Sequence, residues 1–359
     1  MPPDIVWPPR ILQPSRPPAL VYLDLNHYIY LARAAAGDAT VPSGYGSLLE
    51  AARRARGDGR AIFPLSATHY VEMSGIRDPA QRTAVADIME DLSGFRVLLG
   101  RVVIAKLEIE AMLDVLLGSD TDGVTIPLLG TSVGWAFGMR GGLVVRDADG
   151  NDTTAQLRTE MGAREFDEFF THANRTTERA LLAGPADEDL PALRANGYAP
   201  ELTHHTTETR AQQEREQAAR LDADPRWRRG RLRDVIGARE FAVEWIDQLT
   251  RAVMARETTI GQAVLGDRSS IRAFADGMPS NRVAITLKTR YHRDGQHRWT
   301  SNDIHDIDAL AVAVPYCDAV FTDKAVHNAL TASREILPFD TFLPRRPSDL
   351  TDWINALAT

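Results

Sequence analysis

The sequence predicts an α/β fold with a mostly helical insertion, and three observations carry that prediction. Apolar, strand-like runs are followed at once by helix-like segments twice near the N-terminus. The same alternation returns near the C-terminus. Between these ends lies a long stretch of charged sequence with helical character and no strand periodicity.

The elements follow in order. Residues 1–18 are studded with prolines, which suit neither a helix interior nor a central strand, so they read as an extended arm laid over the surface. Residues 19–25 form an apolar run with β-formers, as expected of a buried strand in a parallel sheet, and a helix-like segment, 26–36, follows. Residues 61–65 repeat the strand pattern, and Ser66 is placed to cap a helix carrying His69, Val71 and Glu72. From 78 to 117 helical periodicity dominates, with a strand expected at 95–99 or 102–104. Glycines crowd 118–153, which reads as loop or hairpin, and 155–183, 206–222 and 231–256 read as long charged helices. Residues 302–314 are helix-like, 319–322 and 334–337 strand-like, and Ser348 is placed to cap a last helix, 349–357. The simplest organisation is one α/β domain made from residues 1–117 and 271–359, interrupted by a helical insertion at 118–270.

Composition narrows the class. The 359 residues include 41 Lys and Arg against 49 Asp and Glu, a formal charge of −8, and one cysteine, Cys317. A lone cysteine excludes a disulfide scaffold and a Cys-rich zinc site, and it points to a reducing, cytoplasmic setting. No run approaches the ~20 apolar residues of a membrane span, and the N-terminus lacks a signal-peptide core. The acidic balance argues against a protein that coats nucleic acid but leaves room for a local basic groove.

Five acidic residues fall where an α/β sheet would bring them together: Asp24 at the first strand end, Glu72 in the helix after the second strand, Asp303 and Asp306 opening a late helix, and Asp323 after the next strand. At ~4 Å and an effective dielectric of about 20, each like-charge pair costs about 4 kcal/mol, so such a cluster calls for a hard divalent cation such as Mg²⁺. The chemistry implied is metal-assisted hydrolysis of a phosphate ester. Ile304, Ile307, Leu310, Ala311 and Val314 mark the buried stripe of the late helix, which puts Asp303 and Asp306 on one edge and Asp308 on the other. Each acid also has a local reading: Asp24 and Asp323 as helix caps, Asp303 and Asp306 as helix-dipole partners, and Glu72 as a solvated residue.

The segments VYLDLNHYIYLA, PLSATHYVEM and SNDIHDIDALAVAVPYCDAVFTDK together resemble the PIN-domain nuclease family. The resemblance covers two blocks, roughly residues 18–75 and 300–340, and leaves the insertion without a counterpart. It implies a Rossmann-like α/β/α sandwich with a central parallel sheet, and Mg²⁺ or Mn²⁺ held by Asp24, Glu72, Asp303 or Asp306, and Asp323. It also implies endoribonuclease activity, with Thr322 and Ser66 matching hydroxyl positions common in the family.

A local cationic track would serve such a substrate. Residues 280–299 contain Arg282, Lys288, Arg290, Arg293 and Arg298 interleaved with Tyr291, His292, His297 and Trp299, which suits backbone contact plus base stacking. Lys288, Arg290, Arg293 and Arg298, joined by Thr322 and Lys324 on either side of Asp323, are the expected substrate contacts. The partner expected is RNA, with DNA open, and the insertion could serve a second copy or another protein. A second basic cluster, Arg226, Arg228, Arg229, Arg231 and Arg233 around Trp227, reads equally as a paired surface. Two other readings stay open: a non-catalytic RNA-binding or interaction module, and an esterase using Ser132 in the G-x-S-x-G pattern of 130–134, against which Pro127 and the following glycines argue. His204 and His205 lie in what reads as a polar linker, without metal-ligand spacing.

Overall fold

The computed structural model describes residues 4–119, 123–139, 144–185, 188–195, 199–258 and 268–358. Parts of the expected arm (1–3), of the glycine-rich loop (120–122 and 140–143) and of the insertion (186–187, 196–198 and 259–267) lie outside the described residues. The protein is mostly helical around a small parallel sheet, an α/β arrangement. Its strands are β1 (Ile11–Leu12), β2 (Ala19–Leu23), β3 (Ala61–Ile62), β4 (Val97–Leu98), β5 (Ile126–Pro127), β6 (Leu129–Gly130) and β7 (Ala319–Phe321).

The central sheet runs β3-β2-β7, all parallel, with Val21 opposite Ala319 and Leu23 opposite Phe321. Pairing continues beyond it: Leu65 N–H donates to the Arg96 carbonyl and Leu98 N–H to the Leu65 carbonyl, each at 2.8 Å, and Val320 N–H donates to the Phe342 carbonyl at 2.9 Å. Strand side chains alternate between faces, and β2 shows why both faces must be covered. Leu20 and Tyr22 enter one apolar cluster with Leu287, Ile304 and Leu310; Val21 and Leu23 enter another with Tyr28, Leu48 and Ile354. All four are 0–1% exposed, and burying side chains of this size contributes about 1.5–3 kcal/mol each. A charged residue at Val21 or Leu23 would break this packing.

A third cluster joins the insertion to this body. Ile109, Met112 and Leu113 of the helix Arg101–Leu117 pack with Ile236, Trp245 and Phe274, so that helix serves both parts of the molecule. The insertion is helical as expected, with Ala163–Ala183, Pro200–Ala223, Leu232–Glu240 and Ile246–Met254 as its long elements. Among the described residues no helix is long and apolar enough to cross a membrane.

Several local expectations are corrected. Residues 102–104 are helix rather than strand, because Ile104, Leu107 and Ile109 bury at helical spacing; the strand is Val97–Leu98. Residues 334–337 are not a strand but a turn running into the 3₁₀ helix Leu337–Phe339. The described part of 118–153, read as loop or hairpin, is largely loop with an antiparallel bridge between Arg146 and Asp152, and it adds two short strands: β5 pairs with β1 and β6 with β4. The helix at 155–183 breaks at Gly162, whose φ of 83° favours glycine. The helix at 231–256 is interrupted by a π-helical turn at Phe241–Trp245. His204 and His205 sit on the helix Pro200–Ala223, not in a linker. The last helix, Pro347–Asn355, is held by Asp349 accepting from Arg346 N–H at 2.9 Å rather than capped by Ser348. The largest correction concerns 280–299: residues Pro279–Arg293 form a helix in which thirteen of fifteen residues are buried.

Candidate active site

Strand register places the first two acids. Since Leu23 lies opposite Phe321, Asp24 and Asp323 leave adjacent parallel strands at the same sheet end, about 5 Å apart in the strand-to-strand direction. Each also caps the helix it precedes: Asp24 Oδ1 accepts from Leu25 N–H and Asp323 Oδ1 from Val326 N–H, both at 2.8 Å. The local and the convergent readings therefore hold together.

Glu72 is carried by the helix Ala67–Met73, and a residue not singled out in the sequence fixes that helix. His69 is fully buried; its Nδ1 accepts from Ser66 N–H and its Nε2 donates to the Leu23 carbonyl, both at 2.9 Å. A carbonyl can only accept, so the proton sits on Nε2 and the ring is neutral. Burial pushes its pKa down to about 4, in agreement. His69 thus ties the helix start to the last residue of β2, beside Asp24. The readable signal was its position three residues after the cap, where a reciprocal bond to the cap forms.

The helix Ser301–Tyr316 supplies the remaining acids on different edges. Asp303 is locally satisfied: it accepts from Thr300 N–H at 2.6 Å and the Thr300 hydroxyl at 2.9 Å, and His297 stands 3.3 Å away. Burial pushes its pKa up, but His297 and Thr300 outweigh burial and hold it below the ordinary range. Asp308 faces the opposite side, paired with Arg101 and with Arg210 at 2.5 and 2.9 Å, which removes it from the candidate ligands. Asp306 differs from both. Among the described residues no donor or cation stands against its carboxyl, nor against that of Glu72.

The electrostatics follow from that isolation. Burial first, then Asp24, Glu72, Asp323 and Asp303, raise the Asp306 pKa from 3.8 to about 9. Burial and Asp24 raise Glu72 from 4.5 to about 8. Burial and Asp323 raise Asp24 to about 6, against the lowering effect of the Leu25 N–H. Four of the predicted acids therefore act electrostatically on the fifth, Asp306. Among the described residues no three His, Cys, Asp or Glu side chains are gathered closely enough to hold a metal ion between them. The acids meet at coulombic range, not at ligand distance. Their donor set is nonetheless all carboxylate oxygen, the chemistry that suits Mg²⁺ or Mn²⁺, and two carboxyls lack any other partner.

Asp303, Asp306 and Asp323 form one side of a cavity of about 520 Å³ whose other side carries Arg290, Arg293, Tyr291 and His297. Arg290 and Arg293 are exposed, as the sequence reading requires. Lys288 is not a substrate contact: it is 1% exposed, with Glu240, Glu214 and Glu244 at 2.5, 3.1 and 3.6 Å. It lies two residues from Arg290, about 200° around the helix, and so faces inward. Arg282 is buried as well, donating to the Glu335 carbonyl at 2.8 Å. Arg298 and Lys324 are exposed outside the cavity wall, and the Thr322 side chain is buried at 5% exposure. The expected aromatic platform divides: His292 and Trp299 are buried, while Tyr291 and His297, stacked at 4.5 Å, line the cavity. In the second basic cluster Arg226, Arg228 and Arg233 pair with Asp224, Asp222 and Asp276.

The G-x-S-x-G segment does not form a nucleophile elbow. The donor required there is the N–H after the serine, and Val133 N–H instead donates to both Glu178 oxygens at 2.9 Å. A developing oxyanion would meet a carboxylate, and among the described residues no histidine hydrogen-bonds Ser132.

No family model matches the chain, and neither a curated protein nor a solved structure does.

Proposed function

We propose that the chain is a PIN-like nuclease, a Rossmann-like α/β/α domain with a helical insertion, that hydrolyses phosphodiester bonds of RNA with Mg²⁺ or Mn²⁺. The observation that carries this reading is the uncompensated carboxyl of Asp306, surrounded by Asp24, Glu72, Asp323 and Asp303 at one sheet end. Asp24, Glu72, Asp306 and Asp323 would hold the ion, while Asp303, already bonded to Thr300 and with His297 3.3 Å away, would sit at the edge. When bound, the ion supplies Lewis-acid stabilisation of the phosphoryl oxygens and a more acidic water. The chain's own part is to fix the carboxylates on two strand ends and two helices, and to offer Arg290 and Arg293 across the cavity to the phosphate backbone.

The test is cleavage of a labelled single-stranded RNA with Mn²⁺, with Mg²⁺ and in chelator. Asp24→Asn keeps an acceptor for the Leu25 N–H and should fold normally while losing cleavage. Arg290→Ala and Arg293→Ala should each weaken RNA binding and lower the salt-dependence slope by ~0.7. Cleavage that survives chelation, or survives in both Asp24→Asn and Asp306→Asn, overturns the reading. RNA binding with no cleavage under any metal favours the non-catalytic module instead.

A further inference from the structure

A second cavity, also of about 520 Å³, lies behind the acidic helix, where the insertion meets the α/β body. Ligand sites concentrate at such junctions, and this volume falls within their usual ~300–1,000 Å³. The helix Ser301–Tyr316 is the wall between the two cavities: Asp303 and Asp306 line the first, while His305, Asp308, Ala309 and Val312 line the second.

Three properties of the lining define what would fit. First, its charges are already spent on one another. Arg210 pairs with Asp308 at 2.5 Å and Glu244 at 3.1 Å, and Arg101 pairs with Asp308 and with Glu240 at 2.7 Å. An ionised ligand would lose its hydration and find no free counter-charge, so the occupant is uncharged. Second, Phe137, Trp245, Leu99 and Val312 provide aromatic and aliphatic surface, which favours a flat ring system. Third, a few hydrogen-bonding groups remain available. His305 is 8% exposed, lines the cavity, and has no hydrogen-bond partner among the described residues. Gln248 adds an amide with both donor and acceptor character, and Thr206, whose hydroxyl donates to the Leu202 carbonyl at 2.9 Å, keeps acceptor lone pairs.

We propose that this cavity binds an uncharged nucleobase or nucleoside, bonded along its edge by His305 and Gln248 and packed by Phe137 and Trp245. Apolar faces with a mixed donor and acceptor edge are what recognition of an unstacked base requires. The base has two possible sources, a free nucleoside or an unpaired base of a bound strand; only the second rests on the nuclease reading above.

The experiment titrates the full chain with adenosine, guanosine, cytidine and uridine in turn, read by calorimetry and by the fluorescence of tryptophan. Saturable binding of at least one nucleoside is expected, and Thr206→Trp, at an exposed position on the cavity wall, should abolish it. His305→Ala and Gln248→Ala should each weaken binding about tenfold, the loss of one well-placed hydrogen bond. Asp306→Asn should leave nucleoside binding intact, which separates this site from the acidic centre. If free nucleosides do not bind but short homopolymeric RNAs do, and Thr206→Trp erases the preference among the four bases, the base belongs to the strand. Absence of both effects, or binding that all three cavity variants retain, overturns the inference whatever the cleavage assay returns.

Discussion

Replacing Asp306 by Asn should make the metal-free protein more stable, and the structure gives the size and the pH window. The side chain keeps its shape and loses its charge. In the folded protein burial and four neighbouring acids hold the carboxyl pKa at about 9 against 3.8 for a free aspartate. The sign follows from proton binding: between those values the folded state holds a proton that the unfolded state has released, so stability falls as pH rises from about 4 to about 9. By pH 7 the full linkage would be about 4 kcal/mol at 1.36 kcal/mol per pH unit. Water at the open side of the cavity, and sharing of protons with Glu72, reduce this to ~1–3 kcal/mol. Thermal melts in chelator at pH 4.5, 7 and 9 should therefore show Asp306→Asn melting ~1–4 °C above wild type at the two higher pH values, and converging with it at the lowest. Added Mn²⁺ should raise the wild-type melting temperature and leave the variant unmoved. A variant that is less stable at neutral pH, or one whose advantage is largest in acid, would refute the reasoning.

Two further outcomes follow from the same structure. Lys288→Met removes the cation between buried Glu214 and Glu240 and half-buried Glu244, so urea unfolding should show a loss of about 3–5 kcal/mol, while RNA affinity of the folded fraction stays unchanged. His69→Ala leaves the Leu23 carbonyl and the Ser66 N–H without their partner at the sheet end, which should cost about 1–3 kcal/mol in the same assay. It should also reduce cleavage, because Glu72 rides on that helix, and restoring the charge state by pH should not rescue it.

The sheet-end placement of two of the acids was legible in the sequence for a specific reason. A carboxylate directly after a fully apolar run has few places to go but the sheet end, and that held for Asp24 and Asp323. The apolar stripe of the acidic helix also separated Asp306 from Asp308 correctly. What was hidden is the burial of charge. Lys288, Arg210 and Arg101 look like surface residues until Glu214, Glu240 and Asp308 are placed beside them, and those partners lie 48 to 207 positions away in the chain. Periodicity records apolar faces and is silent about ionic ones. Short strands were lost for a related reason: β1, β5 and β6 have two residues each, too few to show alternation. Asp303 was legible as an acid at the right edge, but its bonds to Thr300 and its proximity to His297 depend on a turn that spacing does not reveal.

Anomalous diffraction from crystals soaked in Mn²⁺ decides whether the acids at the sheet end hold a divalent cation, as proposed. The expected result is a peak with oxygens of Asp306 and of at least two among Asp24, Glu72 and Asp323 at ~2.1–2.2 Å, the carboxylates having drawn inward from their ligand-free positions. Well-occupied Mn²⁺ sites found only elsewhere, with Asp306 still unligated, would contradict it.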